Sequence, residues 1–296
     1  MPKNRDREKP EEANGMALLR SGRSWTVFSL LLLVVVAGYV GKLAWQQQRN
    51  RLFNHPRFVP KFQVTPDKPD WIENDIVDSV IRDGSLDEIS LLDEQATKQI
   101  AAAFEMHPWV RQVDHVSKHA NGIVKVNLAY RRPAGFVKVD GGHFPVDADA
   151  KLLPVDVAIS VVRGYPRIEV GAELPLGVMV GEKWDDARVI GAAEIAAAFA
   201  ATWKDLELFA VVYEPAEAVD SQRSGGVFLL RTDQQHRILW GSAPGQERNE
   251  EASTDTKVRR LVEYIRSAGP LKNLDPKVEI DLTHPETIRI SSRVAP

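Results

Sequence analysis

The 296 residues include no cysteine. The chain therefore neither uses disulfides as staples nor risks wrong ones in an oxidising compartment, although the same absence suits the cytosol. Catalytic signatures are missing too. There is no Gly-x-Ser-x-Gly elbow, no Gly-x-x-x-x-Gly-Lys phosphate loop, no dinucleotide fingerprint and no His-Glu-x-x-His. His115 and His119 stand four apart, a metal-ligand spacing on a helix, but they fall on a strand and its turn and are read as solvated imidazoles. Asp147 and Asp149 have the separation of an acid-base pair, yet Asp-Ala-Asp-Ala between short strands is turn composition. No enzyme, cofactor, metal or small-molecule substrate is expected.

A large excess of either charge is missing as well. The first 24 residues hold six basic and four acidic side chains and the apolar run after them holds Lys42. The remainder keeps 31 of the 38 basic and 37 of the 41 acidic residues, close to net minus six. A weakly acidic chain with no basic, aromatic-interleaved stripe argues against nucleic-acid binding.

What the sequence does have is one long apolar run, Trp25 to Trp45, twenty-one residues with a single charge. As a helix it would rise roughly 31 Å, the thickness of a bilayer's hydrocarbon core, with a tryptophan at each interface and Lys42 near one end. A cleaved signal would need a shorter core and a small-x-small site, and a soluble core helix seldom carries fourteen near-continuous apolar residues such as Val27 to Val40. The run reads as an uncleaved membrane anchor. Residues 1–24 are then a disordered tail, and residues 46–61 a spacer. Six basic residues before the anchor against four after it favour the tail inside, and since long domains translocate largely regardless of charge, the C-terminal part can lie outside the cytosol.

The rest divides into two units, each large enough to bury a core. Phe62-Gln-Val64 is a short strand. Asp70 and Glu73 make a capping box for a helix through Ile72, Ile76, Val77 and Val80, which Gly84 ends in the left-handed conformation. A second helix runs from Asp93 through Ala96, Ile100, Ala103 and Phe104 and stops before Pro108. Two antiparallel strands follow over residues 110–131, turning at Asn121-Gly122. Further on, residues 185–203 and 254–267 are helices. Strands are expected at 206–213, 226–231, 236–241, 277–282 and 287–290, and the loop 242–252 with Glu247, Glu250 and Glu251 is a solvated connection.

This order, with the residues that fill it, resembles the POTRA module of bacterial envelope proteins, and above all the FtsQ/DivIB cell-division family. The likeness rests on His107-Pro108-Trp109-Val110, on Arg131-Arg132-Pro133-Ala134, on Phe144-Pro145-Val146-Asp147 with Leu152-Leu153-Pro154, and on Ile280-Asp281-Leu282. Tyr130 departs from it, standing where the family usually has Glu. The resemblance implies an α+β chain: a transmembrane helix, a POTRA domain of β-α-α-β-β order over 62–139, and a second mixed α/β domain with an antiparallel-rich sheet over 140–296. It implies a single-pass inner-membrane protein with its C-terminal domains in the periplasm. Such a protein would be a division scaffold without catalysis that holds other bitopic proteins of FtsB and FtsL type. A bitopic assembly protein of a secretion or pilus machine is the alternative, and a membrane-tethered enzyme a third.

Expected structural residues are Pro108, Trp109 and Pro133, with Trp109 a lid over the helix-sheet core. Expected partner-binding residues are Arg131 and Arg132, one of which braces the domain junction while the other stays solvated. The closing strand, Thr287, Ile288, Arg289 and Ile290, joins them because an edge strand offers unpaired backbone groups to a partner segment.

Overall fold

The computed structural model describes residues 22–53, 60–155, 164–215, 225–275 and 277–292. Gly22–Phe53 form α1, within which Val27–Gln48 is a 22-residue stretch of mean hydropathy 2.2, long and apolar enough to cross a membrane. None of that stretch is buried by the rest of the chain, and Phe28, Leu31, Leu33 and Val35 are all more than half exposed. A helix that is apolar on every side needs an apolar surrounding that the chain itself does not supply. The helix starts inside the expected tail and runs eight residues into the expected spacer, since nothing from Gln46 to Phe53 is a helix breaker. The tail's first 21 residues lie outside the described part.

Five elements build the first unit. They are β1 (Lys61–Thr65), α2 (Ile76–Asp83), α3 (Ala96–Glu105), β2 (Val110–Lys118) and β3 (Ile123–Tyr130). The strands lie in the order β1-β3-β2, with β1 parallel and β2 antiparallel to the central β3. Strict alternation in β3 puts Val124, Val126 and Leu128 on one face, each at most 2% exposed. Against them pack Ile76 and Val80 of α2, Ile100 and Phe104 of α3, and Trp109, which is buried as a lid of that core. The hairpin turns where expected: Asn121 and Gly122 both have positive φ, 65° and 78°, and the His119 N–H donates to the Ile123 carbonyl at 2.7 Å.

The first helix differs from its expected form at both ends. It begins at Ile76, capped by Asp75, whose carboxylate accepts from the Val77 N–H at 2.8 Å; Asp70 and Glu73 make no capping box. The reason lies sixty residues away. The Trp71 indole N–H donates to the Arg131 carbonyl at 3.1 Å, which commits the 69–72 turn to the junction before a helix can start. At the other end Gly84 has φ −92°, so it is not left-handed. A Cβ there would lie 2.8 Å from the Val80 carbonyl oxygen and 2.9 Å from the Ala103 Cβ, so glycine allows α2 and α3 to approach, and Ser85 takes the positive φ of 49°. The second helix begins three residues after Asp93, whose carboxylate accepts from the Gln95 N–H.

The second sheet has eight strands in the order β11-β10-β9-β8-β7-β6-β4-β5. These are β4 (Pro133–Val139), β5 (Gly142–Asp147), β6 (Arg167–Glu169), β7 (Leu208–Pro215), β8 (Gly226–Thr232), β9 (Arg237–Gly241), β10 (Val278–Asp281) and β11 (Arg289–Ser292). Four of its seven pairings are antiparallel and three parallel, so the sheet is mixed. Two helices, α4 (Ala187–Ala198) and α5 (Thr254–Ala268), cover one face and enclose a core that includes Trp184, Phe199 and Trp240.

β4 belongs to this sheet and not to the first, which moves the boundary between units from residue 140 to Pro133. Alternation explains how one strand serves both. Phe136 points into the first core and its neighbour Val137 into the second, while Leu153 and Tyr165 return to the first.

Candidate interaction sites

Arg131 is where the two units meet, and its backbone N–H, its carbonyl and one guanidinium nitrogen are all engaged. Its N–H donates to the Trp109 carbonyl at 2.8 Å, its carbonyl accepts from Trp71, and its guanidinium donates to Asp147 Oδ2 at 2.7 Å. Asp147 is 4% exposed, and its other oxygen accepts from the N–H groups of Asp149 and Lys151. The Asp147–Asp149 pair is thus a turn, as its composition suggested, and it also holds the junction arginine. With its side chain 11% exposed, Arg131 is the brace and is out of a partner's reach. Arg132 is exposed and lies over the rings of Trp71 and Tyr165, 5.8 and 6.0 Å from their centres. Pro133 opens β4 beside it and is buried. His115 and His119 are both exposed, and among the described residues no cluster of His, Asp and Glu is placed to hold a metal ion.

The closing strand lies two residues later than expected. Thr287 and Ile288 precede β11, because residues 283–287 form a turn held from three sides. Asp281 accepts from the Thr283 N–H and hydroxyl, Arg260 donates to the carbonyls of His284 and Pro285, and His284 Nδ1 accepts from the Glu286 N–H. Arg289 is the first residue free to pair, opposite Asp281. β11 ends the sheet's order, and all four of its residues are exposed, Ile290 by 53%.

The ladder identifies which of its backbone groups are unused. The Leu282 N–H donates to the Leu239 carbonyl, so Ile280 and Leu282 face β9, while Glu279 and Asp281 face β11. Their partners Ser291 and Arg289 point back at them. Ile290 and Ser292 therefore direct their N–H and C=O groups outward, the arrangement an added strand would need.

Sequence reasoning missed a buried ion pair behind this edge. Lys257 of α5 is fully buried, with its ammonium 2.6 Å from Glu251 Oε1 and 4.7 Å above the centre of the Trp240 ring. Glu251 also accepts from the N–H and hydroxyl of Ser242, and Glu247 accepts from the N–H and hydroxyl of Thr254 at the start of α5. The 242–252 loop is therefore wired into the fold at two of its three glutamates; Glu250 alone is exposed as expected. A signal was present: Lys257 stands four before Leu261 on the helix's apolar face.

Burial pushes the Lys257 ammonium below its ordinary value, against the pull of Glu251. Burial alone would raise Glu251, but hydrogen bonds from Lys257 and Ser242 outweigh it and hold the carboxyl below its usual range. Glu251 therefore stabilises the fold above the unfolded-chain value of about 4.3, and that contribution is lost as pH falls through its folded value. Lys257 acts on the alkaline side. The unfolded chain holds that proton more tightly, so its contribution rises with pH from its folded value to about 10.4.

Lys257→Met strands a nearly buried carboxylate and is expected to cost about 3 to 5 kcal/mol. Adding Glu251→Gln should recover much of that loss and weaken the acid-side fall in stability, to which Asp186 and Glu247 also contribute, as read from urea midpoints between acid and neutral pH. A Lys257→Met chain as stable as the parent would contradict the pairing. Comparison with known protein families finds none that matches this chain, and comparison with curated proteins finds no match either.

Proposed function

We propose that the chain is a bitopic scaffold of the bacterial division machinery, of FtsQ/DivIB type, with its two folded units in the periplasm and no catalytic role. The observation that carries the reading is an exposed strand, β11, at the edge of the second sheet of a chain whose described residues include a helix of membrane-spanning length. A protein tethered by a membrane helix and offering a free strand edge is suited to hold another chain. The β-α-α-β-β order of the first unit supports a POTRA assignment, together with Pro108-Trp109-Val110 and Arg131-Arg132-Pro133-Ala134 at the positions that carried the resemblance. On this reading the partners are bitopic division proteins of FtsB and FtsL type, one of which adds a strand beside Ile290 and Ser292.

A fluorescent fusion of the intact chain is expected to gather at midcell. Gathering at the poles or in scattered foci would favour a secretion or pilus machine instead.

Proline substitution tests the edge itself. Ile290→Pro removes an outward donor and leaves the ladder to β10 intact, so the fold should persist while co-purification of the partner falls roughly tenfold, the worth of about one hydrogen bond. Arg289→Pro removes an inward donor and should instead loosen β11 from β10, visible as faster amide exchange in both strands. A folded Ile290→Pro chain with undiminished partner capture would overturn the edge as the docking site.

A further inference from the structure

A cleft of about 560 Å³ opens where β6 begins, β7 begins and β8 ends, and a smaller one of about 260 Å³ continues it to the junction. Gly164, Tyr165, Trp203 and Lys204 line both, so the two form one groove. Its cations are held in an uncommon way. The Arg167 guanidinium lies 4.6 Å from the centre of the Phe209 ring, and that of Arg132 lies over Tyr165 and Trp71. Neither arginine side chain, nor that of Lys204 between them, makes an ion pair or hydrogen bond among the described residues, whereas Lys272 at the far rim is paired with Glu207 at 3.3 Å.

A guanidinium held against a ring face leaves its N–H groups available to an anion. Its fork can match a carboxylate two bonds at a time. A groove between two structural units, floored by aromatic rings and carrying three unpaired cations, fits an anionic ligand with apolar parts.

We infer that this groove binds an extended acidic peptide segment, with its carboxylates on Arg132, Arg167 and Lys204 and its apolar side chains against the half-buried rings of Tyr165 and Phe209. Asp205 and Asp233 also line the groove and would repel a strand charged at every unit, which selects a peptide with spaced carboxylates over a uniform polyanion. The groove is also distinct from the β11 edge. Arg167 on β6 is five strands from β11 in the sheet order, about 24 Å at the usual spacing.

The test uses the full chain in detergent micelles and a fluorescein-labelled peptide alternating Glu with Leu. A Lys-for-Glu version of that peptide and a short oligothymidine are the comparison probes. The Glu peptide is expected to bind and to weaken with added salt, and the Lys version to bind far less. Affinity for the Glu peptide should fall roughly tenfold or more in Arg132→Gln with Arg167→Gln, and stay unchanged in Lys138→Gln, an exposed site outside the groove. If the double variant loses its circular dichroism signal, Lys204→Glu alone leaves both stacked arginines in place and should show the loss. Equal affinity in parent and groove variants, no binding of the Glu peptide, or tighter binding of the oligothymidine would each overturn the inference. None of these outcomes depends on midcell localisation or on the β11 edge, so the groove and the scaffold reading can fail separately.

Discussion

Arg131 binds three parts of the molecule at once. Its N–H holds the residue that lids the first core, its carbonyl holds the Trp71 turn that precedes α2, and its guanidinium holds the Asp147 turn of the second sheet. At 11% and 6% side-chain exposure, the Arg131–Asp147 pair is too dry to be broken cheaply. Removing one partner of such a pair typically costs about 3 to 5 kcal/mol, because the other charge stays buried. The surrounding packing follows from this knot. Phe136 and Leu153 come from the second unit's chain yet complete the first unit's core, which they could not do if the junction hinged.

A fixed junction has a consequence for the proposed role. The free strand edge closes the second unit, so rigidity between units fixes where that edge lies relative to the first unit. The edge is supported from behind in the same manner. Lys257 and Glu251 tie α5 to the 242–252 loop, the Ala252 N–H donates to the Thr283 carbonyl, and Arg260 holds the turn that feeds β11. A docking strand that kept its free backbone groups in one plane would bind a partner segment with little ordering to lose.

Local signals made much of this legible in the sequence. Alternation in β3, the Asn121-Gly122 turn, the apolar spacing of α3 and α5 and the burial of Trp109 all depend on residues close together in the chain, and each is found. The misplacements share one cause. The start of α2 is decided by Trp71 reaching Arg131, the conformation of Gly84 by the approach of Ala103, the start of β11 by Arg260, and the burial of Glu251 by Lys257 and Ser242. The same holds for the boundary at Pro133: β4 is buried continuously from Pro133 to Val137, and such a run does not say which sheet the strand pairs with.

Residue-resolved amide exchange on the intact chain, with and without Asp147→Ala, tests the junction most directly. With the pair in place, the β3 amides of the first unit and the β8 amides of the second should open with closely similar free energies, as one cooperative body. With Asp147→Ala, β3 should lose about 3 to 5 kcal/mol of protection while β8 loses much less. Unchanged β3 protection in the variant, or independent opening of the two strands in the parent chain, would contradict the account.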